Sequence, residues 1–380
     1  MQKGTDLITA SRQFTAPRPA LDNQAAQFAR AFGIVRGAID QLVFPGAALA
    51  VTHQGSLVAA QGFGRFTYDP GSAEVRSDTI FDLASLTKVI TTTTMAMVLY
   101  ERGLMSLDAS LQMVLPEFVT LAPPYQRERR SRVTVRMLLA HSSGLPAYER
   151  LFEFARDRDE LMRAAITTPL VMEPGTHAAY SDIGFILLGE VLARLSGSAL
   201  DRFAEQEIFA PLGMERARFN PPEDWRLAIP PTEEDKTFRK RIIQGEVNDE
   251  NAFVMGGISG HAGVFAPATD VARFAECMLR GGTPILNPDT VRLFTGREAS
   301  PQGTSRALGW DTPSHPSSSG IMLTPSSFGH LGFTGTSLWI DPRRQLSVTL
   351  LTNRTWPHRS AQAIRQIRPV VHDAIVEALN

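Results

Sequence analysis

The chain has 380 residues, a formal net charge of −1 at neutral pH and a pI near 6.7. That balance excludes a charge-driven partner such as nucleic acid or an anionic membrane surface. A single cysteine, Cys277, excludes an internal disulfide and fits a reducing compartment.

Residues 1–21 read as a flexible polar arm. Met1 to Pro19 has no continuous apolar run, so no signal peptide is expected and the location expected is cytoplasmic. An opening helix spans about Asn23 to Leu42, with Phe28, Phe32, Ile34 and Val35 on its apolar face. Pro45 to His53 and Ser56 to Gly62, joined by Gln54-Gly55, read as a β-hairpin. From there to about residue 305 the elements are mostly helices and loops. Arg127-Glu128-Arg129-Arg130-Ser131-Arg132 reads as a solvated loop. Val135 to Ala140, Arg150 to Ala165, Ile183 to Leu195 and the Cys277 segment ending at Gly281-Gly282 read as helices. After a Ser/Pro-rich loop at 313–320, Thr336 to Ile340 and Leu346 to Leu351 form a second hairpin, with Phe328 to Phe333 as a further strand. A last helix runs from about Ser360 to Leu379.

Two strands at one end of the chain are too few for a stable sheet. Pairing them with the C-terminal strands gives an α/β chain of the α+β type. Its mostly antiparallel sheet of about five strands is built from both chain ends, residues 22–84 and 306–380, and flanked by the terminal helices. Residues 85–305 become an inserted, mainly helical domain, and the cleft between the two parts is the expected site for a small molecule.

The stretch Asp82 to Leu99 carries the strongest chemical signal. Between Leu83 and Tyr100 the only charged side chain is Lys88, which places it on a helix buried on most sides. Burial lowers a lysine's pKa and makes it a usable base. Ser85 lies three residues earlier, so both side chains leave one helix face with Cβ atoms roughly 5–6 Å apart. Ser85 also falls near the helix start, where free N–H groups favour an oxyanion. Among Lys3, Lys88, Lys236 and Lys240, only Lys88 has a serine at that spacing. No transmembrane helix is expected, because the longest apolar run carries Lys88 and four consecutive threonines.

Three further stretches accompany this pair: Tyr180-Ser181-Asp182, His330-Leu331-Gly332, and Leu138 to Pro146. With Pro174-Gly175-Thr176, Pro211 to Met214 and Thr334 to Pro342, they make the chain resemble the serine β-lactamase and penicillin-binding protein superfamily. The likeness is to its class C β-lactamase-like group of DD-peptidases, esterases and muropeptide amidases, and it covers about residues 25–375. It implies a β-lactamase/transpeptidase-like fold, Ser85 as nucleophile, Lys88 as base, and a Tyr180 whose pKa Lys88 lowers so that it takes the serine proton.

Asp182 stands where the family has asparagine and serves either the site or the cap of the following helix. His330 stands for the usual lysine, supplying positive charge or a hydrogen bond to Tyr180, and Leu331 lacks the hydroxyl that holds a substrate carboxylate. Gly332 lets substrate backbone approach, and the resemblance places the oxyanion hole at the N–H groups of Ser85 and Phe333. Val247 to Ala252 and Gly256 to Phe265 resemble the muropeptide-amidase branch, with Asn248 where that branch has histidine. They offer His261 and Asn251 as substrate contacts, with a structural loop histidine as the other reading of His261.

The implied activity is a cofactor-free serine hydrolase working through an acyl-enzyme on a carboxylic ester or amide. The alternatives are a class C-like β-lactamase and a sensor or assembly protein that acylates without turnover. The partner implied is a small ester, amide or β-lactam-like molecule. No Gly-x-Ser-x-Gly elbow, His-Glu-x-x-His, Cys-x-x-Cys or phosphate-cradling glycine motif occurs, so no metal or nucleotide site is expected.

Overall fold

The computed structural model describes residues 14–360 and 362–380. Its main sheet has the order β1-β3-β2-β11-β10-β9. These strands are β1 (Arg18–Pro19), β2 (Gly46–His53), β3 (Ser56–Gly64), β9 (Phe328–Leu331), β10 (Ser337–Asp341) and β11 (Leu346–Thr352). All neighbours are antiparallel except β1, which runs parallel to β3. The joint between the two chain ends is β2 with β11, where Ala50 faces Thr349.

β2 is central and covered on both faces, which is why it reads as a nearly unbroken apolar run. Its side chains alternate between two cores. Ala47, Leu49 and Val51 join Val348 and Leu350 against helices α1 (Ala29–Asp40) and α5 (Ile364–Leu379), through Phe32, Val35, Val371 and Ile375. Ala48 and Ala50 join Leu338 and Leu351 in the larger core, which continues into the helical part of the chain.

A three-stranded sheet of order β4-β8-β5 connects the two parts: β4 (Ile80–Asp82), β5 (Arg218–Phe219) and β8 (Val264–Pro267). A small hairpin pairs β6 (Glu233–Asp235) with β7 (Arg241–Ile243). The buried helix after Ser85 is not uniform. Ala84–Leu86 is a 3-10 turn, Lys88–Thr93 is π-helical, and only Thr94–Glu101 (α2) is α-helical. Two of the threonines bond backwards, Thr91 Oγ1 to the Thr87 carbonyl at 2.7 Å and Thr94 Oγ1 to the Val89 carbonyl at 2.9 Å, competing with the regular ladder. π-helical turns of this kind concentrate at functional sites. The main helix of the inserted region, α3 (Asp182–Ser196), ends on Gly197 at φ 67°.

Several expectations are corrected. The sheet has six strands, because Arg18–Pro19 of the supposed arm pairs with β3; residues 1–13 lie outside the described residues. The helix carrying Cys277, α4 (Ala268–Leu279), belongs to the sheet: it packs on β11 and β2 and covers the face opposite α1 and α5. The arginine-rich run is helix, Pro124–Ser131, not loop. In it Arg130 is fully buried, its guanidinium capping the carbonyls of Phe118, Ile166 and Thr168. Among the described residues no single helix is long and apolar enough to cross a membrane.

Candidate active site

Ser85 sits on the turn between β4 and the π-helical segment. Ala84 before it adopts φ 47°, the left-handed region that non-glycine residues avoid. Asp82 holds that turn: its Oδ1 accepts the Ala84 N–H at 2.8 Å and its Oδ2 the Asn248 N–H at 2.7 Å. Burial pushes the Asp82 carboxyl up to about 6. The stretch beginning at Thr334 is stitched to the same turn. Thr334 Oγ1 donates to the Asp82 carbonyl at 2.8 Å and Thr336 Oγ1 to the Leu83 carbonyl at 2.9 Å.

Lys88 is completely buried and Ser85 only partly so. The Lys88 ammonium donates to Ser85 Oγ at 2.9 Å and to the His261 carbonyl at 2.9 Å, and forms an ion pair with Asp182 Oδ1 at 2.7 Å. It also lies over the rings of Tyr180 (5.0 Å) and Phe185 (5.6 Å). Burial alone would pull its pKa down, but Asp182 and Tyr180 together outweigh it and hold the ammonium above the ordinary lysine value. The expected lowering of the Lys88 pKa is therefore reversed. Asp182 is not the helix cap: that is Ser181, whose Oγ accepts the Gly184 N–H at 3.0 Å.

Tyr180 donates its O–H to Ser85 Oγ at 2.8 Å. Burial, reinforced by Asp182, pushes its pKa up to about 12 despite the pull of Lys88, so the expected lowering does not occur. Its backbone is held by His141, a residue to which sequence reasoning gave no role. The His141 carbonyl accepts the Ala179 N–H at 2.8 Å, His141 Nδ1 accepts the Ser181 N–H at 3.0 Å, and the ring packs 4.6 Å from the Tyr180 ring. The signal was present in the Leu138 to Pro146 stretch, with a histidine flanked by turn residues at φ 55°.

His330, on β9, donates from Nδ1 to the Leu331 carbonyl at 2.7 Å, so its Nε2 carries the lone pair. That Nε2 is buried and has no hydrogen-bond partner among the described residues. Burial, and after it the charges of Lys88 and Arg306, hold His330 well below the usual histidine range. It is a neutral ring with no hydrogen bond to Tyr180, which corrects the expectation of a cation there. The N–H of Phe333 makes no hydrogen bond among the described residues, and its half-exposed ring lies on the cavity wall.

His261 and Asn251 divide. His261 lines the cavity, but both ring nitrogens are engaged, Nδ1 with Ser259 Oγ at 2.7 Å and Nε2 with Asp249 Oδ1 at 2.8 Å. Its carbonyl, not its ring, reaches Lys88. Asn251 is fully buried outside the cavity wall, tying the Phe152 N–H to the Glu149 carbonyl at 3.0 and 2.8 Å. It is a structural bolt rather than a substrate contact.

Ser85, Tyr180 and His330 open onto one cavity of about 780 Å³ between the sheet and the helical part. A partly exposed hydroxyl between a buried cation and a phenol is an arrangement for nucleophilic acyl transfer.

The Beta-lactamase family model matches residues 33–371. The N-acetylmuramyl-L-alanine amidase of Bacillus subtilis (strain 168) is 31% identical over 362 residues, covering 83% of this chain and 80% of its own. Among solved structures, EstCE1, a hydrolase with promiscuous acyltransferase activity, superposes with a TM-score of 0.73 at 21% identity over 93% of this chain and 99% of its own. The octameric penicillin-binding protein homologue from Pyrococcus abyssi gives 0.68 at 20% identity, over 88% of this chain and 76% of its own. These two likenesses establish the fold, and with the match of the family model the chain belongs to the Beta-lactamase family, within the serine β-lactamase and penicillin-binding protein superfamily.

Proposed function

We propose that this protein is a serine hydrolase that cleaves a carboxylic amide or ester through an acyl group on Ser85, with an amide in a cell-wall fragment as its physiological target. The observation that carries the reading is the placement of Ser85 Oγ within 2.9 Å of Lys88 Nζ and 2.8 Å of the Tyr180 hydroxyl. The amide preference rests on the likeness to an amidase along most of both chains.

In the proposed cycle the reactive form carries Tyr180 as phenolate beside the Lys88 ammonium. Tyr180 takes the Ser85 proton as Oγ bonds to the substrate carbonyl carbon, and gives it to the leaving nitrogen or oxygen as that bond breaks. Water then loses a proton to Tyr180 and attacks the acyl carbon; the proton returns to Ser85 as the acid leaves. The N–H groups of Ser85 and Phe333 hold the tetrahedral oxyanion. Lys88, kept charged by Asp182, supplies fixed positive charge beside two oxygens that become negative. β-Lactam hydrolysis is the less favoured reading, because Leu331 offers no hydroxyl on the strand edge.

The test is hydrolysis of p-nitrophenyl butyrate by wild type and Ser85→Ala, with nitrocefin beside it. A loss of about 10³-fold or more in the variant is expected. Near-wild-type turnover in Ser85→Ala removes the reading, and strong nitrocefin turnover replaces it with a β-lactamase.

A further inference from the structure

Asp82 is a buried carboxylate to which the proposed chemistry gives no part. It closes β4, pairs with Phe265 of β8 and lies three residues before Ser85. Its two oxygens serve two distant segments: Oδ1 takes the Ala84 N–H at 2.8 Å and Oδ2 the Asn248 N–H at 2.7 Å. Ala84, Ser85, Asn248 and Asp249 all line the cavity, so both ends of this tie reach its wall. The Asn248 end is firmly mounted. Arg239, in the turn between β6 and β7, donates to the carbonyls of Val247 and Asn248 at 2.7 and 2.6 Å. Asn248 Nδ2 in turn donates to Thr232 Oγ1 at 3.2 Å and Glu233 Oε2 at 3.1 Å. The Ala84 end is strained, at φ 47°, a conformation that persists only where its surroundings impose it.

We propose that Asp82 is a positioning residue: its ionised carboxylate ties the strained Ser85 turn to the Asn248 segment, and protonation in mild acid slackens the tie and withdraws Ser85 from its attacking position. This rests on the serine-hydrolase reading of the same cavity. Two backbone N–H groups converge on one carboxylate, and each such bond is charge-assisted. Protonation converts one of the two oxygens into a hydroxyl, which meets an N–H where an acceptor is needed, so one end loses its partner. The charged groups that face the carboxyl are Asp249, from the Asn248 segment, and Arg239, from the hairpin. Lys88, farther along its own element, is engaged with Ser85 and Asp182. β8 and the Thr334 to Thr336 stretch, which pack against Asp82, carry no charged side chain. Burial outweighs the two N–H bonds and leaves the carboxyl at about 6, with Asp249 adding to the rise and Arg239 opposing it. The tie therefore opens at a pH where ordinary carboxylates are still ionised.

The experiment is a pH–rate profile of p-nitrophenyl butyrate hydrolysis from pH 5 to 9, for wild type and Asp82→Asn. In wild type log kcat/KM is expected to steepen below pH 6 and to lie about tenfold under its extrapolated upper limb at pH 5. In Asp82→Asn the steepening is expected to vanish, with kcat rather than KM lowered about tenfold or more at pH 7. A wild-type limb that stays straight to pH 5 overturns the proposal, and needs no variant to fold. A variant slowed equally at every pH, with the steepening kept, also overturns it, because that is the mark of a merely structural residue. Hydrogen–deuterium exchange of peptides covering 80–86 and 245–250 reads the tie directly. At pH 7 both are expected to exchange about tenfold faster or more in Asp82→Asn, and to approach wild type at pH 5. A change in one peptide alone removes the coupling. Retained ester turnover in Ser85→Ala overturns the hydrolase reading instead. The exchange result, which requires no turnover, then decides the tie by itself.

Discussion

Asp182 Oδ1 lies 2.7 Å from Lys88 Nζ, so a carboxylate and an ammonium are paired directly behind Ser85. The carboxylate holds Lys88 above its ordinary value and adds to the rise of Tyr180 to about 12. Asp182→Asn therefore lowers both values, and the alkaline limb of log kcat/KM moves to lower pH. A lysine with a raised folded-state pKa contributes stability that is complete below the unfolded value and lost as pH climbs through the folded one. The variant is thus expected to lose about 2 kcal/mol at neutral pH, a charged hydrogen bond's worth, with the difference shrinking only in strong alkali. A pH–rate profile and denaturant curves at pH 7 and above 10 check both parts.

A phenol pushed up to about 12 is almost wholly protonated at pH 7. If its phenolate is the base, log kcat/KM for a poor-leaving-group ester climbs with about unit slope from pH 7 to 9. Tyr180→Phe is expected to lose that slope together with 10²–10⁴-fold in rate, roughly the range of a general base. A flat profile in wild type would move the base role away from Tyr180.

Gly332 has no room for a side chain. A Cβ there would collide with Thr336 Oγ1 and lie 2.6 Å from the Leu83 carbonyl, the two partners of the hydrogen bond that ties β10 to the Ser85 turn. Gly332→Ala must open that seam. Activity is expected to fall by about two orders of magnitude, since small displacements of the reacting groups cost that much. A substitution within twofold of wild type would show that the edge yields freely.

Asp249 is held at about 2, because His261 and the Ala252 N–H overcome the effect of burial. A carboxylate depressed on folding contributes stability above its unfolded value, lost as pH falls through the folded one. Asp249→Asn is expected to cost about 2 kcal/mol at pH 7 and only a small part of that at pH 2. Because His261 presents its carbonyl to Lys88, kcat is expected to fall as well. Equal stability of both proteins at pH 7 would count against the pair.

Arg130 donates to three backbone carbonyls in a dry site, and burial brings its pKa down to about 10. Arg130→Ala leaves those carbonyls unpaired, so a loss of at least about 3 kcal/mol is expected, measured by denaturant midpoint.

The reading of the sequence succeeded where a physical constraint is local. Lys88 alone in an apolar run had to be partnered, and the three-residue spacing to Ser85 survives even though the helix around it is 3-10 and π-helical. The β2–β11 joint followed from the need of a lone hairpin for more strands. What failed depends on distant partners. The raised pKa of Lys88 depends on Asp182 and Tyr180, that of Tyr180 on burial and then Asp182, and the neutrality of His330 on burial and on charges brought in by Lys88 and Arg306. Arg130 looked solvated because composition does not reveal which arginine of a run turns inward. Asn251 and His261 lie in a glycine-rich stretch whose hydrogen bonds close on itself and on nearby loops, which spacing cannot show.

A sheet closed by β2 against β11 has a consequence for synthesis. Ser85, Lys88 and the β2–β3 hairpin leave the ribosome long before Leu346–Thr352 and the Phe333 N–H. Until then the inner edge of β2 is an open template for another chain. In the proposed mechanism Ser85 also waits without the Phe333 N–H, one of the two oxyanion donors. On that reading the nascent polypeptide does not yet acylate, and ribosome-bound chains truncated before β9 are expected to require chaperone cover.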